Sequence, residues 1–194
     1  MSLSATSLRS SLIPRSTALS NAVLVVSGVL GLAVLAQIAI PVPGSPVPVT
    51  GQTLGVLILG TAYGSTLGFT TFAIYILAGI AGAPVFANSG HGLDRIVGAT
   101  GGYLVGMLLT SALLGYLGGR KWDQKFKTAL PAMLLGNVLT FTLGLIWLHQ
   151  YTGKDWAWTI AAGFTPFILG EILKIAIAGT SLPLIWQFVQ RKIS

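Results

Sequence analysis

The chain has 194 residues, 53% of them hydrophobic and 8% charged, with a mean hydropathy of +0.82. A soluble globular domain carries about 25% charged residues, so this composition describes an integral membrane protein of one domain, and its long unbroken apolar stretches exclude the alternating strands of a membrane barrel. The absence of cysteine excludes disulfides, thiolate metal sites and cysteine catalysis, His91 and His149 are too few and too isolated for a metal centre, and the +7 net charge lies in short segments beside apolar runs, a topology signal rather than a nucleic-acid surface.

Residues 1–19 are rich in serine and carry Arg9 and Arg15 without an acid, which reads as a cytoplasmic tail, with a transit peptide as the open alternative. The apolar stretch Ala22 to Ile40 exceeds the 7 to 15 apolar residues of a cleavable signal and predicts an uncleaved first span in block 20–40. Ala18 and Ala22 form a small-xxx-small pair, a candidate docking surface for a partner helix.

The loop Pro41 to Thr53 places Pro41, Pro43, Pro46 and Pro48 around Gly44 and is apolar apart from Ser45, Thr50, Gln52 and Thr53. Fixed proline φ angles disfavour helix, so the segment reads as a stiff apolar lid in preference to a passive turn. The next apolar block, 53–87, is too long for one span at about 50 Å and too short for two full spans with a loop. A break near Tyr63 to Ser65 resolves this as a short helix followed by a normal one, and broken spans are tolerated where a cavity or neighbouring protein satisfies the backbone.

The second outer loop, Gly82 to Val97, offers Asn88, Ser89, His91, Asp94 and Arg95, of which Asp94 and Arg95 taken singly read as ordinary solvated charges. Blocks 97–118 and 128–150 predict two further spans, and the loop Gln150 to Trp158 supplies Tyr151, Trp156 and Trp158 for an interfacial belt. Rows of glycine at 60, 64 and 68 and at 98, 102 and 106 are a close-packing device of membrane bundles.

The last block, 157–189, contains Glu171 and Lys174 in an otherwise apolar run. Each such charge costs on the order of 3 kcal/mol in hydrocarbon, and the i, i+3 spacing puts both on one helix face. A binding site at membrane depth is the leading reading, and an ion pair that merely locks helices together is the competing one. Six helices with both termini in the cytoplasm put Arg9, Arg15, Arg120, Lys121, Lys125, Lys127, Arg191 and Lys192 inside and leave only Arg95 and Lys154 outside. There is no Gly-x-x-x-x-Gly-Lys-Ser/Thr loop, no His-Glu-x-x-His and no Gly-x-Ser-x-Gly, so the residues favour a small-molecule binder or transporter over an enzyme.

Four segments carry a resemblance: Pro41-Val-Pro-Gly-Ser-Pro-Val-Pro-Val-Thr50-Gly-Gln-Thr-Leu-Gly55, Ala83-Pro-Val-Phe-Ala87, Gly98-Ala-Thr-Gly-Gly-Tyr103 and Gly170-Glu-Ile-Leu-Lys174. In this order and spacing, across residues 20–190, the chain resembles the BioY family, the biotin-specific substrate-binding (S) components of energy-coupling-factor (ECF) transporters. The resemblance implies a six-helix membrane domain over 20–190 between cytoplasmic tails 1–19 and 191–194, in the cell membrane. It implies biotin as ligand, no bound cofactor, and as partners a transmembrane coupling protein and two cytoplasmic ATPases.

It further implies that Glu171 and Lys174 belong to the biotin site with Asn88 nearby, and that the first loop closes over the vitamin. Gln52, Thr53 and Tyr103, within the shared motifs, complete the candidate contacts. Biotin's ureido ring has two N–H donors and one carbonyl acceptor, which an acid and a base complement. Arg95 lies outside the motifs, and its pairing with biotin's carboxylate is an inference from charge alone. The sequence departs from the family pattern at Glu171, where Asp is common, and at Ala99, where Pro is common. Another vitamin, thiamin or riboflavin, and a membrane scaffold are the alternatives.

Overall fold

Helices in this chain start and stop where hydroxyl side chains, glycine or proline supply or remove backbone partners. The computed structural model describes residues 7–13 and 15–193, with side chains to Arg191. Residues 1–6, Pro14, Ser194 and the Lys192 side chain, which fall in the predicted tails, lie outside the described residues. At α1 (Leu8–Leu12) and α2 (Ala18–Gln37) the caps are reciprocal: the Thr17 hydroxyl accepts from the Ser20 N–H at 3.1 Å while the Ser20 hydroxyl accepts from the Thr17 N–H at 3.0 Å. The predicted tail is thus partly folded, since α1 buries Leu8 among Leu57, Leu114 and Trp186. An apolar residue near a membrane bundle docks rather than remaining in water.

After α2 the proline loop folds as a small hairpin, β1 (Ala39–Ile40) pairing antiparallel with β2 (Val49–Thr50). Two helices follow, α3 (Gln52–Tyr63) and α4 (Ser65–Ile80), divided at Gly64. The break falls where the length of the block predicts it, and Gly64 adopts φ +83°, a left-handed conformation open to glycine. With 12 and 16 residues, these helices reach about 18 and 24 Å, less than a hydrocarbon core of about 30 Å. The rest comprises α5 (Asp94–Val97), α6 (Gly101–Gly119), α7 (Phe126–Thr152), α8 (Trp156–Gly163) and α9 (Ile168–Ile193).

Block 157–189 is not the single helix its apolar run predicts. Phe164 leaves helical geometry at φ −131°, ψ −52°, a 3₁₀ turn occupies Thr165–Phe167, and α9 restarts at Ile168. Pro166 has no N–H to continue the ladder. Glu171 consequently lies in the first turn of α9, where the helix dipole favours a carboxylate. Among the described residues, four segments are long and apolar enough to cross a membrane: Ala18–Gln37, Gly101–Gly119, Phe126–Thr152 and Trp156–Arg191.

Helix α6 forms the centre, packing on α3, α4 and α7. A Cβ at Gly60 would meet the Ser111 Cα at 2.9 Å, one at Gly68 would meet the Gly60 Cα at 3.1 Å, and one at Gly106 would meet the Thr140 Cα at 2.9 Å. These glycines are spacers through which backbones touch, and the Thr110 hydroxyl closes the seam by bonding Gly136 O and Thr140 Oγ1, each at 2.9 Å. Outward faces are apolar, with Leu19, Val23 and Leu30 of α2 and Leu169, Ile172 and Leu173 of α9 exposed, as suits a lipid-facing exterior.

Asp123, in the connection between α6 and α7, is completely buried. Its Oδ2 accepts from Trp186 Nε1 on α9 at 2.6 Å, and its Oδ1 has no partner. Burial raises its pKa to about 6. A native pKa above the unfolded one means that stability is fully present below pH about 4 and declines as pH rises through 6, by on the order of 3 kcal/mol. Asp123→Asn keeps an acceptor for Trp186 and removes the buried charge. Thermal unfolding in detergent should show the variant more stable than the parent at pH 8 and without the decline between pH 4 and 6; an equal decline in both would refute the assignment.

Candidate functional site

The end of β2 and the start of α3 lie against the first turns of α9, and a cluster of polar side chains joins them. Lys174 Nζ donates to three oxygens: Thr50 O at 2.6 Å, Thr53 Oγ1 at 2.9 Å and Glu171 Oε1 at 2.6 Å. Thr53 Oγ1 in turn donates to Glu171 Oε1 at 2.8 Å. Glu171 and Lys174 form an ion pair with side chains only 8% and 12% exposed. All three ammonium protons are therefore used within the protein. Glu171 is different, because its Oε2 is buried and accepts nothing.

Glu171 lines a cavity of about 640 Å³, counting the part that opens outward. Thr50, Gln52 and Thr53 stand beside it among the polar residues of the wall. Phe86, Tyr103, Leu104, Met107, Phe141 and Phe167 provide most of its apolar part. The aromatic rings are mutually braced: Tyr103 lies edge-on to Phe141 at 5.7 Å and stacks on Phe167 at 6.4 Å. The Tyr103 hydroxyl donates to Gly163 O at 2.8 Å, a carbonyl at the break between α8 and α9, so Tyr103 offers the cavity its ring. Gln52 Nε2 donates to the Tyr75 hydroxyl at 2.8 Å, and that hydroxyl donates to Val85 O at 2.8 Å, which ties α3 and α4 to the second outer loop.

The first loop contributes Val47, buried in the core with Phe86, and Pro48, both on the cavity wall. Pro41, Pro43, Gly44 and Pro46 are exposed on the outside of the hairpin, with Gly44 at φ +77° at its tip. Arg95 is exposed and lines the cavity with its guanidinium in no ion pair. Asn88 is exposed and absent from the wall, although Ala87 beside it belongs to it. Asn88 and Ser89 have φ of 55° and 53°, and Gln37 pins the turn through Ser89 N–H at 2.8 Å and Phe86 O at 3.2 Å. Lys174 is also not a wall residue; its role is to position Glu171 and Thr53. Ala18 and Ala22 are exposed on α2, far along the chain from this site.

Tyr75, Phe86, Met107, Phe141 and Phe167 were not singled out by sequence reasoning. Phe86 lies within a quoted motif, and Phe167 stands four residues before Glu171, but every span is apolar on all sides and periodicity offers no contrast there.

A partly open, mostly apolar cavity with one buried acceptor left unbonded, set within a membrane bundle, defines a small-molecule-binding membrane protein. The BioY family model matches residues 6–191. A biotin transporter, BioY2, of Lactococcus lactis is 34% identical over 174 residues, covering 87% of this chain and 92% of that protein. A biotin transporter, BioY, of Thermotoga maritima is 32% identical over 155 residues, covering 80% and 90%. A crystal structure of the S-component for biotin from an ECF-type ABC transporter superposes with a TM-score of 0.81 at 21% identity, covering 89% of this chain and 95% of that one, which establishes the shared fold. The chain belongs to the BioY family.

Removing the Lys174 ammonium strands a buried carboxylate, a change that costs about 3 to 5 kcal/mol. Lys174→Ala should therefore lower the melting temperature in detergent, and the double variant Lys174→Met with Glu171→Gln should recover most of the loss. An unchanged melting temperature for Lys174→Ala would disprove the bracing role.

Proposed function

We propose that this chain captures biotin and serves in its uptake as the S component of an ATP-driven ECF transporter. The observation that carries the reading is Glu171, which lines an apolar cavity and whose buried Oε2 accepts no hydrogen bond among the described residues. A ureido N–H donates to that oxygen, the sulfur-containing ring packs on Tyr103, Phe141 and Phe167, and Thr53 and Gln52 line the polar end. Arg95 at the mouth pairs with the carboxylate of the valeryl chain. Asn88 reaches the ligand through a change in its strained turn, and the Pro41–Pro48 loop, already seated by Val47, acts as the lid.

In this reading α2, α3, α4, α6, α7 and α9 are six spans, and the domain is 20–190 between tails 1–19 and 191–194. Both termini are cytoplasmic, an orientation supported by the lysines and arginines between α6 and α7. The protein is a multi-pass component of the cell membrane and not an enzyme. ATP hydrolysis belongs to two cytoplasmic ATPases, reached through a transmembrane coupling protein that docks on Ala18 and Ala22.

Titration calorimetry of the detergent-purified chain should show biotin binding near nanomolar Kd, about −12 kcal/mol, and no heat with thiamin or riboflavin. A response to another vitamin would reassign the substrate, and silence with all three would favour the scaffold. Arg95→Gln should weaken biotin about tenfold yet leave biotinamide, which lacks the carboxylate, unchanged; equal losses for both would remove Arg95 from that role. Bulky replacement of Ala18 or Ala22 should reduce capture of the coupling protein at constant biotin affinity, and a parallel loss of both would count against the docking surface.

A further inference from the structure

A second concavity, about 1800 Å³ including its open side, lies at the basic end of the bundle, apart from the proposed biotin site, and shares only Ala22 with the proposed docking surface. It is bounded by α1, the start of α2, the α3–α4 break and the end of α6. Its polar end holds Ser7, Arg9, Ser65, Tyr116 and Arg120. Its walls run along α2 and α4 through Ala22, Val25, Val26, Leu67 and Ile74. From Ser65 to Ile74 that wall is about 13 Å long at 1.5 Å per residue, the reach of roughly ten methylenes.

Among the described residues neither arginine has an acidic partner. Arg9 donates from one terminal nitrogen to the Ser16 hydroxyl at 2.8 Å and to the Asn21 carbonyl oxygen, both neutral, and its Nε is buried without any partner. Arg120 lies over the Tyr116 ring, 4.5 Å from its centroid. Among the described residues the one ion pair is Lys174–Glu171, at the other site. A buried guanidinium nitrogen with an unused proton, a second guanidinium lining the same concavity and no carboxylate on its wall form a receptor for an anion with several oxygens. The apolar walls rising from that point require the anion to carry a hydrocarbon tail.

We propose that this groove binds one anionic phospholipid, with its phosphate at Arg9 and Arg120 and an acyl chain along Val25, Val26 and Ile74. A free phosphate would leave the apolar walls uncovered. The anionic lipids of a cytoplasmic leaflet fit both the charge and the depth.

Native mass spectrometry of the full chain in neutral detergent, with equimolar phosphatidylglycerol and phosphatidylcholine, tests this. One phosphatidylglycerol should be retained in preference by about tenfold or more, given the attraction expected of two arginines. Arg120→Gln, which disturbs none of the Arg9 bonds, should cut that preference to about twofold, Arg9→Gln should do the same, and Arg9→Lys should keep part of it. Biotin affinity should be unchanged in all three variants, a check on folding that also separates this site from the outer cavity. Equal retention of both lipids, or a preference indifferent to Arg9 and Arg120, would overturn the proposal. Loss of bound phosphatidylglycerol to millimolar inorganic phosphate would make the site one for a free anion, and loss of coupling-protein capture in Arg120→Gln at constant lipid preference would give the groove to that partner; either result also overturns it.

Discussion

An ammonium group taken out of water costs several kcal/mol unless each of its protons finds an oxygen. Lys174 offsets that cost through Thr50, Thr53 and Glu171, and these three residues come from β2, α3 and α9. The geometry of the cavity end of the bundle follows from this. Holding Thr50 fixes the end of the hairpin and therefore its proline loop, and holding Thr53 fixes the first turn of α3. Holding Glu171 leaves one carboxylate oxygen occupied and the other free. Lys174 braces β2, α3 and α9, and under the proposed function Glu171 both shares in that bracing and meets the ligand, so the locking and binding readings are compatible.

Two helix breaks make room for this arrangement. At Gly64 the turn sets α4 beside α3, and the contact of Gly68 with Gly60 brings them close enough to meet α6 together. At Phe164 to Phe167 the break frees carbonyls that lipid could not satisfy. Tyr103 takes Gly163 O and the Thr165 hydroxyl takes Ile160 O, so the exposed backbone is bonded by residues at or beside the cavity. The break also places Phe167 on the wall and Glu171 near the positive end of α9. A continuous helix over 157–189 would give Glu171 no dipole and Tyr103 no carbonyl.

Charge was the readable signal in the sequence, because in an apolar chain each ionised group stands out against its background. The Glu171–Lys174 pairing, the break near Gly64 and the close contacts of Gly60, Gly68 and Gly106 were all legible from spacing and length. The aromatic wall was not. Phe141 and Met107 occupy helices that are apolar on every face, so nothing in their sequence separates a residue facing a cavity from one facing lipid. The break at Phe164 was hidden for a similar reason, since a single proline in a long apolar run reads equally well as a kink. Asp123 was missed because it sits among lysines and looks solvated, whereas its carboxylate is enclosed beside Trp186.

The two ends of the bundle use charge in opposite ways. At the Glu171 cavity the buried cation is saturated and the anion retains an unbonded oxygen, an arrangement suited to a ligand that donates hydrogen bonds and brings no full negative charge to that depth. In the reading proposed above, biotin's ureido group meets that condition and its carboxylate pairs with Arg95, an exposed residue where water shares the charge. At the basic end no carboxylate among the described residues lines the groove of Arg9 and Arg120, which suits the anion proposed above.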